Sequence, residues 1–245
     1  LFIADYDGAN VRQVTVSRSL VAGPAWSPDG TSLAYTWWPP GAAPTVVVNT
    51  LDGRPARRLV PLEGDVHNTW PAFSPDGKSI AFGSTRSGNW DIWVANTDGS
   101  NLRNLTAASR STDNAPTWSP DGTKIAFTSN RSGGVRLYVM NAEDGLGLDV
   151  INTGGDIDRP TWSSQNFIAY TSGTGYQHSI SLYDFRTGLT SVLTEAVGDN
   201  QSPSVSPTGR HVVFTTTRWG REEIAIINRR GENIRRITNV GNNKS

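Results

Sequence analysis

Short apolar runs alternate along the whole chain with clusters of glycine, proline, aspartate and asparagine. Two examples are Ser79-Ile-Ala-Phe-Gly83 and Lys124-Ile-Ala-Phe-Thr128, and each follows a Ser-Pro-Asp-Gly segment. Proline fixes φ in such a segment and glycine accepts a positive φ, so the segment predicts a tight turn between two strands. No window keeps an apolar period of about 3.6 residues, so the pattern predicts β-strands and essentially no helix.

A longer pattern recurs five times, with its units starting at Pro24, Pro71, Pro116, Pro160 and Pro203. The spacings between successive units are 47, 45, 44 and 43 residues. A period of this length that contains several short strands is typical of a propeller blade. Each unit begins with a strand and a first turn, followed by an apolar second strand and a third strand. A second turn, usually containing Asp-Gly, then leads to a fourth strand, so each unit predicts one blade of four antiparallel strands.

The two halves of this repeat are unequal in number. Five halves contain the first and second strands, whereas six contain the third and fourth, beginning at Leu1, Thr45, Asp91, Arg136, Ser179 and Glu223. The sequence therefore predicts an all-β, six-bladed β-propeller with one blade incomplete, forming a single domain over residues 1–245. The incomplete first blade is expected at residues 1–16, and the chain is expected to be a fragment of a longer protein. The complete blades are expected at about 24–63, 71–106, 116–152, 160–194 and 203–240.

Composition argues against several classes of function. The 22 Lys and Arg residues balance 22 Asp and Glu residues, so the net charge is zero and no long-range field attracts nucleic acid. The chain has no cysteine, which excludes thiol nucleophiles, disulfides and thiolate metal sites. No apolar run approaches the ~20 residues that a membrane-spanning helix needs, so no direct membrane insertion is expected.

Motifs that carry enzyme chemistry are missing from the sequence. It contains no G-x-S-x-G, H-E-x-x-H, Walker or G-x-G-x-x-G motif, and His67, His178 and His211 have no metal-ligand spacing. Asp5-Tyr6-Asp7-Gly8 looks like the start of a calcium loop, but its counterparts in other units are plain hairpin turns. The sequence thus predicts no enzymatic activity, no cofactor and no metal. The repeated aromatic position is expected to pack between blades, and its residues are Trp26, Phe73, Trp118 and Trp162.

The Pro-x-Trp-Ser-Pro-Asp-Gly units, the Asp5-Tyr6-Asp7-Gly8 opening and the Ile-Ala-Phe/Tyr strands resemble the propeller of the TolB family, over the whole chain. That resemblance implies a monomeric, periplasmic, non-enzymatic protein. It would bind the lipoprotein Pal and other Tol components and help to maintain outer-membrane integrity. Similar repeats occur in other propellers, so the alternative is a propeller that gates a prolyl-oligopeptidase-like serine peptidase. The sequence flanking this chain would separate the two.

Strand alternation places the loops of each blade on two faces. The Ser-Pro-Asp-Gly and Asp-Gly turns share one face, where they repeat closely. The connections from second to third strand and from blade to blade share the other, which we call the divergent-loop face because its loops vary in length and chemistry. Variable loops on a rigid scaffold are where binding usually occurs. The inter-blade connections contain seven acidic and three basic residues, an excess of four negative charges in a neutral chain.

The last residues of these connections are expected to form a partner-binding site at the mouth of the central channel. The family resemblance implies that Pal docks on this face and that its contact positions correspond to His67, Trp70 and Asn114. Trp70 is large where the family often has a small residue. The predicted site consists of His67, Asn68, Trp70, Asp113, Asn114, Asp158, Arg159, Asn200 and Gln201.

The absence of enzyme motifs generates a direct prediction. Purified chain should show only background turnover in peptidase, esterase and glycosidase assays, because no activated nucleophile, metal site or phosphate loop is encoded. Turnover that survives purification and disappears on substituting one of the three histidines would contradict it.

Overall fold

The computed structural model describes residues 1–15, 19–153, 155–175 and 177–238. Within these ranges the chain forms 22 β-strands and no helix. The strands form six sheets, of which five have four strands and one has two. No helix that could span a membrane occurs in this part of the chain.

The strands follow the chain in simple order, and each four-stranded sheet is an antiparallel meander that we call a blade. The N-terminal hairpin consists of β1 (Phe2–Ile3) and β2 (Arg12–Gln13). Blade A consists of β3 (Val21–Trp26), β4 (Ser32–Trp37), β5 (Thr45–Thr50) and β6 (Arg57–Arg58). Blade B consists of β7 (Asn68–Phe73), β8 (Ser79–Ser84), β9 (Asp91–Asn96) and β10 (Arg103–Asn104). Blade C consists of β11 (Asp113–Trp118), β12 (Lys124–Ser129), β13 (Arg136–Asn141) and β14 (Asp149–Ile151). Blade D consists of β15 (Ile157–Trp162), β16 (Phe167–Thr174), β17 (Gln177–Asp184) and β18 (Leu189–Val192). Blade E consists of β19 (Asn200–Val205), β20 (His211–Thr216), β21 (Glu223–Asn228) and β22 (Arg235–Arg236).

The all-β propeller prediction is confirmed, but the described residues form five blades and not six. The half-unit at the start of the chain encodes only a third and a fourth strand, and these form the N-terminal hairpin of two-residue strands. Two predicted blade limits, at residues 16 and 240, fall outside the described residues.

The chain divides into two compact units. The first contains Leu1 and Gln13–Ile151, and therefore blades A, B and C. The second contains Phe2–Arg12 and Asn152–Ser245, and therefore blades D and E together with most of the N-terminal hairpin.

Each unit buries its apolar residues between neighbouring blades. In the first unit, Val46 and Phe82 belong to the cluster between blades A and B. Ile92 and Phe127 belong to the cluster between blades B and C. In the second unit, one cluster contains residues of both blade D and blade E.

The repeated aromatic position packs between blades in the first unit, with one exception. Phe73 and Trp118 each lie against a core cluster, and Trp118 Nε1 donates a 3.1 Å hydrogen bond to the carbonyl of Ala72 in blade B. In the second unit, Trp162 stacks on Phe185 with ring centroids 4.8 Å apart. The expectation of packing is wrong for Trp26, whose side chain is 50% exposed.

The Ser-Pro-Asp-Gly turns are held by the aspartate, as turn chemistry predicts. Ser74 Oγ and the Lys78 amide donate to Asp76 Oδ1 over 2.6 and 3.1 Å. The hydrogen bond from Ser74 and that from the Lys78 amide hold the pKa of Asp76 below its ordinary value. Asp121 is held in the same way in the next blade.

The second turn of a blade lies against the outer strand of the preceding blade. A Cβ on Gly99 would lie 2.1 Å from the carbonyl oxygen of Leu59, and Gly99 has a φ of 91°. A Cβ on Gly145 would likewise lie 2.1 Å from the carbonyl oxygen of Leu105. Only glycine combines this conformation with so close an approach of two backbones.

An arginine completes this inter-blade contact. Arg57 in β6 donates to the carbonyl of Thr97, which precedes Asp98-Gly99 in the next turn. Arg103 in β10 donates likewise to Glu143, before Asp144-Gly145. Each of these arginines therefore ties an outer strand to the turn of the following blade.

The N-terminal hairpin uses the same two contacts within the second unit. A Cβ on Gly8 would lie 2.5 Å from the Ile237 carbonyl oxygen, just beyond β22. Arg235 donates to the carbonyl of Tyr6 over 3.3 Å. The hairpin thus packs on blade E as the second turn of a blade packs on its predecessor.

The turn hydrogen bonds predict how Asp76 titrates. In Ser74→Ala, the pKa of Asp76 should rise toward its ordinary value, because the hydroxyl donor to its carboxylate is lost. Since the folded pKa is lowered, the turn contributes stability above the ordinary aspartate pKa, and this is lost as pH falls through the folded value. Carbon-detected NMR titration measures this change. Asp121 serves as the control in the same sample, and an equal shift in both carboxylates would count against the explanation.

The backbone contact at Gly99 predicts a loss of stability that a neighbouring glycine should not share. Gly99→Ala should lose about 1–3 kcal/mol more unfolding free energy than Gly88→Ala, because only the former drives a Cβ into a backbone carbonyl. The two glycines have similar φ values of 91° and 97°, and nothing lies within 4 Å of a Cβ at Gly88. Urea unfolding measures both variants, and equal losses would show that φ alone limits the position.

Candidate partner-binding site

Every inner strand contains a bulge at the same place. In blade B the register between β7 and β8 shifts between Thr69 and Ala72, and Trp70 adopts the left-handed conformation with φ of 53°. A bulge bends the strand and redirects its side chains. The corresponding left-handed residues of the other blades are Gly23, Ala115, Arg159 and Ser202.

Three of the predicted site residues begin inner strands and are fully buried. Asn68 accepts a 2.8 Å hydrogen bond from Ser84 Oγ, and Asp113 accepts two from Arg131 Nη2 over 2.9 and 2.8 Å. Asn200 in the second unit accepts a 2.8 Å hydrogen bond from Thr216 Oγ1. These side chains hold the strand starts in place and offer no surface to a partner.

His67 is half-buried beside a tryptophan outside the predicted set. Its amide donates to Thr85 Oγ1 over 2.9 Å, and its ring meets Trp90 edge to face, with centroids 6.0 Å apart. The Trp90 carbonyl accepts the amide of Asp113 over 2.9 Å. Trp90 lies in the divergent loop between β8 and β9. Its place in that loop is the only feature of the sequence that indicates a role in binding.

The indole of Trp70 lies over the bulge of the preceding blade. A Cβ on Gly23 would be 2.6 Å from Cε3 and 2.8 Å from Cζ3 of the indole. The Trp70 amide donates to Thr36 Oγ1 over 3.0 Å. A large residue in the left-handed conformation costs about 1–3 kcal/mol, so these contacts hold the half-buried indole in a strained position.

Asn114 occupies the space that is free because Gly83 has no side chain. A Cβ on Gly83 would lie 2.1 Å from Asn114 Oδ1 and 3.5 Å from Trp90 Cε3. Gly83 has the strand position at which blade A has Thr36. Without that hydroxyl, Asn114 Oδ1 itself accepts the bulge amide of Ala115, over 2.8 Å. In the first unit, Gly83 therefore lies beside both Asn114 and Trp90, and Trp90 in turn contacts His67.

In the second unit, Arg159 is oriented by the residue before it and by the next blade. The Arg159 amide donates to Asp158 Oδ1 over 2.8 Å, and its Nε lies 3.4 Å from Asp158 Oδ2. Its Nη1 donates to the hydroxyl of Ser202, the bulge residue of blade E. As with Trp70 and Gly23, a large bulge residue here contacts a small one in the neighbouring blade.

Gln201 belongs to a cluster with two residues outside the predicted set. Asp199 Oδ1 accepts the amide and the Nδ1 of His178 over 2.8 and 2.7 Å, and Oδ2 accepts Gln201 Nε2 over 2.5 Å. Burial raises the pKa of Asp199, but the hydrogen bonds from His178 and Gln201 outweigh burial and lower it below its ordinary value. The carboxylate of Asp199 therefore links the backbone and ring of His178 to the side chain of Gln201.

These side chains supply hydrogen bonds and an aromatic surface, and none of them forms a metal centre. The described residues contain no group of three or more His, Asp or Glu side chains that could hold a metal ion. In the first turn of the chain, Asp7 Oδ1 accepts the amide of Ala9 over 2.9 Å, and Asp5 Oδ2 accepts Asn10 Nδ2 over 2.6 Å. Both carboxylates therefore make ordinary turn hydrogen bonds.

Comparison with known proteins identifies the family of this chain. Residues 1–245 match the family model described as the TolB beta propeller domain. The Tol-Pal system protein TolB of Anaeromyxobacter dehalogenans is 34% identical over 107 residues, which are 44% of this chain and 24% of the relative. The crystal structure of TolB from Acinetobacter baumannii superposes with a TM-score of 0.81 at 27% identity, over 94% of this chain and 57% of that chain. A puromycin-hydrolyzing peptidase of Mycobacterium tuberculosis superposes with a TM-score of 0.66 at 16% identity, over 97% of this chain and 42% of that chain, and shares the fold alone.

The chain thus spans about a quarter of the curated relative and just over half of the solved TolB chain. Since the family model covers every residue, the chain belongs to the TolB beta propeller domain family.

Proposed function

We propose that this chain is a non-enzymatic, monomeric, protein-binding propeller of a periplasmic Tol–Pal system. Its partners would be a Pal-like peptidoglycan-associated lipoprotein and other Tol components, and its role would be to maintain outer-membrane integrity. Family membership and the name of the Anaeromyxobacter relative support this proposal. The observation that carries it is Trp70 on the divergent-loop face, which has a strained left-handed backbone and a half-buried indole.

Strain at Trp70 is the reason to place partner contacts near it. Its left-handed backbone costs free energy that glycine at the same position would avoid, and blade A has glycine there. Strained residues of this kind concentrate at binding and catalytic sites. Tryptophan is also among the residues that most often dominate the energy of a protein interface.

The remaining predicted residues have two different roles in this proposal. His67 and Asn114 in the first unit, and Asp158, Arg159 and Gln201 in the second, keep partly exposed side chains that a partner would contact. Asn68, Asp113 and Asn200 are buried and would only position them. The acidic excess of the connections would steer a basic partner surface toward this face.

We also propose that the N-terminal hairpin is the outer half of a sixth blade. Its Gly8 and Tyr6 make the contacts with blade E that Gly99 and Thr97 make with blade A. This equivalence supports a six-bladed arrangement in the whole protein.

The second candidate is the gating propeller of a prolyl-oligopeptidase-like peptidase. It is favoured only by the likeness to the puromycin-hydrolyzing peptidase, which at 16% identity concerns the fold alone. The described residues contribute no feature that points to a hydrolase, so we prefer the Tol–Pal assignment.

Substitution of Trp70 tests the proposal. Trp70→Ala should weaken binding of the soluble domain of the Pal-like lipoprotein from the same organism by about thirtyfold or more in calorimetry, because a central aromatic anchor is worth about 2 kcal/mol. Lys78 is exposed on the opposite face, which contains the Ser-Pro-Asp-Gly turns, so Lys78→Ala should leave the affinity unchanged. Urea unfolding of both variants checks that each still folds.

Trp70→Gly separates binding from backbone strain. It removes the indole and relieves the left-handed conformation, so it should be at least as stable as Trp70→Ala and should bind equally weakly. Wild-type affinity in either Trp70 variant, or equal weakening by Lys78→Ala, would overturn the placement of the site.

A further inference from the structure

The outer strand of blade C differs from the other outer strands of the first unit. Arg57, Arg103 and Asp149 occupy equivalent ladder positions, opposite Val48, Val94 and Val139 of the third strands. The two arginines donate to the turn of the following blade. Asp149 is a carboxylate and cannot donate such a bond.

Apolar side chains are exposed at and just before β14. Leu146, Leu148 and Val150 are 65%, 41% and 57% exposed. Leu148 and Val150 flank Asp149, so strand alternation places them on one face. At the ladder position of Val150, β6 has Arg58 and β10 has Asn104.

β14 is also an open sheet edge. It is the last strand of blade C, and among the described residues it pairs only with β13. Natural sheets usually protect such an edge with charged residues, above all cations, because its free backbone groups can pair with another chain. Polar side chains provide that protection in β6 and β10, whereas β14 combines a free edge with apolar residues.

The charged residues in the sequence around β14 are all acidic, although Arg103 of blade B donates to the carbonyl of Glu143 in the turn before it. No Lys or Arg occurs in the sequence between Arg136 and Arg159, a stretch that contains five carboxylates. Three of them, Glu143, Asp144 and Asp149, are exposed in the hairpin that ends in β14. A partner segment lying on this edge would therefore gain from positive charge.

We propose that β14 is a docking edge for an extended segment of another protein in which apolar residues alternate with Lys or Arg. The segment would add a strand to blade C through backbone hydrogen bonds, the usual mode of strand addition. Its apolar side chains would cover Leu148 and Val150, and its cations would face Asp149 and the acidic turn.

A second copy of this chain fits the edge less well. Antiparallel pairing of two β14 strands would bring two copies of the same acidic segment side by side, and like charges on paired strands are destabilising. The proposal concerns the outer edge of blade C and does not depend on the site around Trp70.

The test uses the whole chain and three fluorescein-labelled octapeptides blocked at both ends. The first alternates lysine and valine, the second alternates glutamate and valine, and the third is the first with a proline at its centre. Anisotropy should show saturable binding of the first peptide and binding about tenfold or more weaker for the other two, which lack the charge or the continuous backbone donors. Amide NMR shifts should concentrate at residues 148–151.

Two arginine variants locate the site. Asp149→Arg gives β14 the residue that β6 and β10 have at this position, so it should fold and should weaken the lysine–valine peptide about tenfold. Ser191→Arg makes the matched change on β18 of blade D, opposite Leu182, and should leave binding unchanged.

Four results would overturn the proposal. Equal binding of the proline-containing peptide would mean that charge attraction suffices without a strand. Equal weakening by Ser191→Arg, or NMR shifts away from β14, would place the peptide elsewhere. A dimer in sedimentation equilibrium that Val150→Arg dissociates would make a second copy the occupant.

Discussion

A four-stranded blade has two apolar faces and no core of its own, so each blade is stable only against a neighbour. The buried side chains of β4, β5 and β8 form one cluster between two blades, and those of β8, β9, β12 and β13 form the next. Each buried side chain contributes about 1.5–3 kcal/mol, and this sum depends on the separation of the sheets. The glycine contacts at Leu59 and Leu105 fix that separation by backbone against backbone, where no side chain can adjust. The packing of blades A, B and C on one another depends on that spacing.

The repeat was sufficient to predict the blades because turn chemistry and apolar alternation are local. Ser-Pro-Asp-Gly encodes its own hydrogen bonds, and every predicted complete blade is present with four strands. Counting blades was less secure, because a half-unit has the same local signals whether or not it completes a blade. The structure assigns that half-unit to a two-stranded hairpin. Trp26 shows a similar limit, since its burial depends on a neighbouring inner strand and not on its own sequence.

The sequence predicted where along the strands the candidate residues lie, but not how far each one is buried. Loop divergence pointed to the beginnings of the inner strands, where the structure places all nine residues. It could not distinguish buried anchors such as Asn68 from partly exposed residues such as Asn114, because both are polar residues at strand starts. The bulge was also invisible, since a left-handed residue without glycine has no sequence signature here. Trp90, His178 and Asp199 enter the site only through contacts with residues distant in sequence.

The bulge positions, read in chain order, are Gly23, Trp70, Ala115, Arg159 and Ser202, so small and large side chains alternate. The contacts explain two of these steps: the indole of Trp70 lies where a Cβ on Gly23 would be, and Arg159 reaches Ser202. A bulky side chain at one bulge therefore uses the room of an adjacent one. In blades A and B, where the indole leaves no room for a Cβ on Gly23, enlarging position 23 requires a smaller residue at position 70. Of these two blades, only one can therefore present a large bulge side chain to a partner.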